Sequence, residues 1–535
     1  MNQSLSHSQR LILFVVAIGV FVPAVDLTVV ATMLRPIIVD LEIPLPDGLD
    51  QAAWIVNAYL IAYVLAMPVA GRLSDLWGRR NVFIGAYLLF IAGSIWIPLA
   101  PDLNSFLVGR VVAALGGGAM VPIALAVVGD IYRPQQRGRA LGLLSAVETG
   151  GWVWGPIYGA LLVRFLSWHW HFYLNIPLGL LGLALTWWVL RDWPRPVERL
   201  RLDWLGTAVL TLCLLSLNLA LLGGGDLQSA GGFAAFDETD TTRPAWGLYL
   251  LAVVTLLLFV GIQRIQQRGQ QRAQQRAQQR AQQRAQQRDS EADGPTPFWQ
   301  APPLLDLRLF GQPHFRGAVW VNFLLGSMII IVMVNVPLIV NVRAVAIAES
   351  ALLSGYLLSG MTGAMALFAY IGGRLLERCG YRPVTLSGLV LAGAGLGLMG
   401  LSWSVDTPYV IMVAQLVLVG IGFGLVLAPM ATAVINAASA SQRGVAASLV
   451  IVMRLLGMSV GLAALTAWGL GRFNRLRPHI PLPDLPFTDP AYQQAIIDGL
   501  TQLTVQVLAE TFAIAAGLAL LGLLITLWQF EKGRT

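Results

Sequence analysis

Four ionisable residues fall inside long apolar runs of this sequence: Asp26, Arg110, Glu148 and Arg454. A charge held in hydrocarbon is costly unless it pairs, meets water or changes protonation. A carboxylate in such a place can load and release a proton near ordinary pH, so Asp26 and Glu148 are candidate proton carriers. Arg454 would hold Glu148 or stand in as its counter-charge, and Arg110 is the fourth charge that an apolar run must accommodate. Each has a plainer reading. Asp26 could sit near a membrane interface, Arg110 could snorkel to a surface, and Glu148–Arg454 could be a permanent ion pair. A permanent buried pair stabilises poorly, which favours a pair that opens.

A second set of polar residues lies between apolar runs. Gly71-Arg72-Leu73-Ser74-Asp75-Leu76-Trp77-Gly78-Arg79-Arg80 returns as Gly373-Arg374-Leu375-Leu376-Glu377-Arg378-Cys379-Gly380-Tyr381-Arg382. Such a loop belongs at a membrane surface. Gly71, Asp75, Gly78, Arg79 and Arg80 are candidates for a cytoplasmic gate in which Asp75 accepts from backbone amides or arginines. In the second copy glutamate replaces aspartate, which leaves an equivalent gate less certain. Gln136-Arg137-Gly138 likewise returns as Gln442-Arg443-Gly444. On that register Gly151 matches Gly457, Gly155 matches Gly461, and Glu148 falls opposite Arg454. Small residues four apart let helices pack closely, so both helices should cross near the bundle centre. Duplicated membrane bundles are the architecture of secondary transporters.

The elements that must position these groups are transmembrane helices. The chain of 535 residues is 56% apolar and only 12% charged, and its apolar residues gather into about fourteen runs of bilayer-spanning length. The expected architecture is all-α: a six-helix half over 1–202, two inserted helices over 203–262, a basic Gln/Arg linker over 263–313, and a second six-helix half over 314–535. The net charge of +7 follows placement: basic residues gather in loops on one side, while Asp40, Glu42, Asp47, Asp50, Asp237, Glu238 and Asp240 lie on the other. The positive-inside rule then puts both termini in the cytoplasm, with the first run a retained helix rather than a signal peptide. The basicity serves topology, and no nucleic-acid partner is expected. Cys213 and Cys379 suggest neither disulfide nor metal, no cofactor is expected, and no nucleophile–base set points to an enzyme. The only lysine is Lys532, which excludes a phosphate-binding loop of the Gly-x4-Gly-Lys type.

From Arg264 to Arg288 arginine recurs every fourth residue as Gln-Gln-Arg-Ala. This reads either as a basic helix on an anionic leaflet or as a charged low-complexity linker; the lack of an apolar face favours the linker. Ala491 to Phe530 reads as one helix of forty residues, about twice a bilayer crossing. Roughly 25–30 Å would project outward around 471–506, with Ile496, Ile497, Leu500, Leu503 and Val507 as its apolar face. Trp54, Tyr59, Trp152, Trp154 and Tyr158 could line an amphipathic cavity or serve as belt and packing residues.

The first decapeptide resembles the signature loop of the major facilitator superfamily. Arg110 with Gly116-Gly117-Gly118 resembles the fourth-helix motif of its proton-coupled members, and Gly150 to Gly159, with Gly155-Pro156, the fifth-helix motif of exporters. Asp26-Leu27-Thr28-Val29-Val30 and Trp168 to Pro177 are similar to signatures of the fourteen-helix drug:proton antiporter branch. Within that segment Asn175 and Pro177 read as architectural. Arg35-Pro36, Glu148, Arg454 to Met458 and Ala467 to Asn474 resemble the mycobacterial triacylglyceride exporters. The resemblance implies a proton-driven exporter of hydrophobic or amphipathic, lipid-like cargo in the inner membrane. It implies alternating access and, outside the membrane, a lipid-accepting protein as partner. The competing readings are a broad multidrug:proton antiporter and a non-transporting sensor or scaffold.

Overall fold

The structure, a computed structural model, describes residues 7–43, 49–193, 203–222, 246–284, 307–343, 347–481 and 489–530. Fourteen α-helices carry them. The first half comprises α1 (His7–Asp40), α2 (Leu49–Trp77), α3 (Arg79–Trp96), α4 (Leu103–Ile131), α5 (Pro134–Phe165) and α6 (His169–Val189). Then come α7 (Trp204–Leu222) and α8 (Trp246–Arg284), which pack on each other. The second half comprises α9 (Pro313–Arg343), α10 (Ile347–Cys379), α11 (Tyr381–Ser402), α12 (Tyr409–Ala437), α13 (Arg443–Leu476) and α14 (Pro490–Gln529). Thirteen of the fourteen are long and apolar enough to cross a membrane. The exception, α5, carries Arg137, Arg139, Glu148 and Arg164.

Local chemistry sets the helix ends. Asp102 caps α4 through the amide of Ser105, and Asp489 caps α14 through Ala491, with Pro490 opening the helix. These carboxylates satisfy amides that lack an intrahelical acceptor. At the α2–α3 and α10–α11 breaks, Gly78 and Gly380 have φ of 90° and 80°. Only glycine adopts this readily, so the two decapeptide copies turn the chain by the same device.

Each half has its own apolar core, the first around Val30, Tyr59, Phe90 and Val127 and the second around Val332, Phe423 and Phe512. Glycine seams bind the helices within each half. A Cβ on Gly151 would meet Ala24 Cβ at 2.7 Å, and Gly155 and Gly159 face Thr28 and Thr32, so α5 lies directly on α1. In the second half Gly457 meets the Phe323 carbonyl and Gly461 meets Ser327, so α13 lies on α9 in the same way. The Ser327 hydroxyl donates to the Gly457 carbonyl at 2.8 Å, across a gap that only a small residue leaves. Between the halves, α5 packs on α10 and α2 on α13.

Two long helices depart from a simple spanning length. The helix of α8 continues into the Gln/Arg repeat as far as Arg284, so the stretch expected as a linker from 263 begins as about six further turns of helix. Glutamine, arginine and alanine all favour that state. The remainder of the expected linker, 285–306, lies outside the described residues. At the other end α14 runs forty residues without a break. Leu503 and Val507 pack with Phe473, flanked by Trp468, Ile480 and Leu500, in a satellite apolar cluster. Ile497 is exposed. Arg472 of α13 grips Glu510 of α14 with two bonds of 2.8 and 3.1 Å.

The α13–α9 seam predicts a sharp contrast between two glycines. Gly457→Ala should lower the thermal unfolding temperature of the detergent-solubilised protein, since its methyl meets fixed backbone. Gly363→Ala, with open space at that position, should leave it unchanged or raise it through the about 1 kcal/mol helix preference of alanine.

Candidate functional site

Among the described residues, two buried charged centres and a pair of clamps lie within this bundle. The first is built inside the first half. Asp26 of α1 is 1% exposed; its Oδ2 accepts from Arg110 Nη1 of α4 at 3.1 Å and its Oδ1 lies 2.7 Å from His171 Nε2 of α6. Asn175, one turn along α6, donates to the same Oδ1 at 3.3 Å. Arg110 lies over the Tyr59 ring, 4.0 Å from its centroid, and Tyr158 meets His171 edge-on. A carboxylate so placed has a cation and an imidazole within one hydrogen bond, so a proton reaching it can pass to nitrogen or break the ion pair.

The second centre joins the two halves. Arg454 Nη2 of α13 donates to Glu148 Oε1 of α5 at 2.5 Å, across a sequence separation of 306. Both residues are buried, and Arg454 also lies over the Trp152 ring at 5.3 Å. The register that set Glu148 against Arg454 in the sequence thus places them in contact. Tyr63 stacks on Tyr59 with centroids 5.7 Å apart and has Asp26, Glu148 and Arg454 as its charged neighbours. Tyr59, beneath Arg110 of the first centre, is thus the ring on which Tyr63 stacks.

One clamp lies at the α2–α3 junction. Asp75 accepts from the amides of Gly444 and Val445 at 3.0 and 3.4 Å and pairs with Arg79 at 2.5 Å. Arg79 also binds Asp130 of α4 at 3.1 Å, and Asp130 binds Arg443 of α13 at 2.8 Å. Here the α13 N-terminus, whose amides lack intrahelical partners, meets a carboxylate, an arrangement the helix dipole favours. Gly71 touches the Gly444 carbonyl so closely that no side chain fits.

A second clamp occupies the duplicated position. Gly373 touches the Gly138 carbonyl, and Glu377 accepts from the Arg139 amide, so glutamate makes the contact that aspartate makes in the first copy. Arg137 Nη1 donates to Asn436 Oδ1 at 2.7 Å, and Asn436 donates to the Tyr381 hydroxyl at 2.7 Å. By position Tyr381 replaces Arg79 and Asn436 replaces Asp130. The first clamp joins four charged side chains; in the second two of the four, Tyr381 and Asn436, are neutral.

Other candidates lie elsewhere. Arg80 does not join the clamp: it donates to the Trp187 carbonyl of α6 at 3.2 Å on the surface, because consecutive residues of α3 point about 100° apart around the helix. Gly78 acts through its backbone alone. Tyr59 and Trp152 are buried beneath the two arginines, whereas Trp54 and Trp154 are 42% and 50% exposed and join neither centre. Sequence reasoning passed over His171 and treated Asn175 as architectural. Asp130, Arg443, Arg137 and Asn436 also escaped as partners, although the repeated Gln-Arg-Gly triplet already marked the two arginines.

Comparisons with known proteins converge. A family model described as the Major Facilitator Superfamily matches residues 12–462. A triacylglyceride transporter of Mycolicibacterium hassiacum is 29% identical, the match covering 97% of this chain and 91% of that one. Multidrug resistance protein 3 of Bacillus subtilis is 26% identical over 85% of this chain and 78% of its own. Among solved structures, the human organic anion transporter MFSD10 superposes with a TM-score of 0.59 at 14% identity, covering 97% of this chain and 99% of its own. The proton:xylose symporter XylE gives 0.60 at 13%, with 98% and 96% covered. At such identities these two likenesses establish the fold.

Two predictions follow from the geometry. Arg454→Gln, leaving Glu148 charged and buried, should destabilise the purified protein by about 3–5 kcal/mol. The Glu148→Gln/Arg454→Gln double variant should recover part of that loss in thermal unfolding. Additive losses would mean the two side chains do not interact. In the clamps, Asn436→Asp should give Arg137 a full counter-charge and slow opening, read as slower alkylation of a cysteine placed at Ser448; Asp130→Asn should speed it.

Proposed function

The chain belongs to the Major Facilitator Superfamily, and on that premise we propose that it is a proton-coupled exporter of hydrophobic or amphipathic, lipid-like compounds, working by alternating access. The observation that carries this reading is the Glu148–Arg454 pair, one buried ion pair deep between two halves that must separate. Protonating Glu148 removes the counter-charge that holds Arg454, so proton binding and separation of the halves become one event. Asp26 with Arg110 and His171 supplies a second protonation point. Protons reach these carboxylates from outside and favour release of cargo outward.

The clamps then form the cytoplasmic gate, closed in this structure by Asp75 on the α13 amides and Asp130 on Arg443. Both termini are cytoplasmic, the protein sits in the plasma (inner) membrane, and α13–α14 project on the opposite side. Lipid-like cargo is supported by the names of the mycobacterial relatives and by the apolar cluster of Phe473, Leu503 and Val507 on the long α13–α14 pair. Such a projection gives an apolar cargo a surface beyond the bilayer and a place to meet a lipid-accepting protein. A second reading, a broad multidrug antiporter, is favoured by the Bacillus subtilis relative.

Proteoliposomes with an imposed pH gradient, loaded with a labelled triacylglyceride or a cationic dye, test both. Lipid flux should follow the gradient and fall about tenfold or more in Glu148→Gln and Asp26→Asn. Deleting residues 480–505 should abolish lipid flux and spare the dye if the cargo is lipid. Flux of dye alone supports the antiporter reading, and flux of neither, under any gradient, ends the transporter proposal.

A further inference from the structure

A groove of about 1420 Å³ lies between α1, α5, α6 and α10, beside the second clamp. Its long wall is apolar, formed by Phe14, Ile18, Phe21, Leu143 and Leu178. Phe14 and Leu178 are large and exposed, so the groove opens sideways onto the surface that faces acyl chains. Its other end carries Arg10, Arg139, Arg374 and Arg378 around one carboxylate, Glu377. Four guanidiniums against one carboxylate leave a strong positive excess at the mouth. Among the described residues none of the four arginines is within ion-pair distance of an acid.

The duplication makes this end unusual. Arg374 occupies the position of Arg72 in the second decapeptide. Arg72 is buried and turns across the seam, its Nη1 3.5 Å from the Ser441 carbonyl. Arg374 instead stays exposed, lying over the Tyr370 ring at 5.0 Å, and the Tyr370 hydroxyl accepts from Arg139 Nη2 at 3.5 Å. The second clamp closes without Arg374, and that guanidinium is presented to the groove beside Arg139 of the other half.

We propose that this groove binds a membrane phospholipid with an anionic headgroup, its phosphate held by Arg139, Arg374 and Arg378 and one acyl chain lying along the α1–α6 wall. Guanidinium groups match phosphate oxygens with paired hydrogen bonds, and basic pockets between helices at a membrane face select anionic headgroups. A phosphate bound there bridges α5 to α10 across the second clamp, where neutral side chains replace the charged pairs of the first. The lipid phosphate would add a second anion beside Glu377, where the first clamp has the two carboxylates of Asp75 and Asp130. The leaflet is the inner one under the orientation proposed above; the binding itself does not depend on transport.

The test uses the full-length protein purified in neutral detergent. Phosphatidylglycerol added in mixed micelles should raise the unfolding temperature by about 2 °C or more, and phosphatidylcholine should not. Native mass spectrometry should show one retained phosphatidylglycerol. Both effects should vanish in Arg374→Gln/Arg378→Gln and persist in Arg264→Gln/Arg268→Gln, which removes the same charge from exposed positions on α8. Should the first double variant not fold, Arg10→Gln is expected to weaken retention of the lipid without removing it. Equal stabilisation by phosphatidylcholine, equal loss in the α8 control, or full stabilisation by soluble glycerol phosphate would each overturn the proposal. None of these results bears on whether the protein transports.

Discussion

A charge buried in an apolar bundle must find its opposite, and in this protein the opposite of Glu148 lies in the other half of the molecule. That requirement organises much of what surrounds it. The glycine seam of α5 against α1 brings the Glu148 helix next to Asp26, and the matching seam of α13 against α9 fixes the helix that carries Arg454. Neither arginine is held by its carboxylate alone, since Tyr59 and Trp152 lie beneath the two guanidiniums. Aromatic faces attract such cations where water is scarce, so each arginine keeps a partner when its carboxylate is neutralised. The electrostatics and the packing are therefore one arrangement: the close helix approach is what excludes water from the pairs.

The duplicated sequence folds into duplicated geometry with unequal chemistry. Asp75, Arg79, Asp130 and Arg443 form one clamp; Glu377, Tyr381, Asn436 and Arg137 form its counterpart. Backbone contacts are the same in both, with glycine against a glycine carbonyl. What differs is how strongly each responds to ionic surroundings. Exchanging a carboxylate for an amide keeps the hydrogen bond to arginine and removes the full counter-charge. The pseudo-symmetry is thus one of shape, and the two seams need not open with equal ease.

The fold was legible because its signals are local and repeated. Apolar runs of spanning length mark helices whatever their neighbours, and a decapeptide that returns in register marks a duplication. The same register was enough to pair Glu148 with Arg454, because symmetric halves meet at equivalent depths. His171 was harder to see. Its role depends on α6 packing against α1 and α4, and nothing in Trp168-His169-Trp170-His171 says which histidine turns inward. Asp130 was missed for a similar reason: it lies in the last turn of α4, and only the fold brings it to Arg79 and Arg443. The Gln/Arg repeat has the composition of a charged linker and residues that favour helix; as far as Arg284 it is helical, since continuation from an already formed α8 spares it the cost of nucleation.

The seam of Gly71 against Gly444 has a mechanical consequence. No side chain stands between those backbones, so there is none that could swing aside to let a solute through while the helices stay put. Such a barrier is all or none: it leaks only when whole helices part, which also separates Asp75 from the α13 amides and Asp130 from Arg443. Anything that crosses this seam depends on that one motion. Tightness at this seam comes from backbone geometry rather than from a plug.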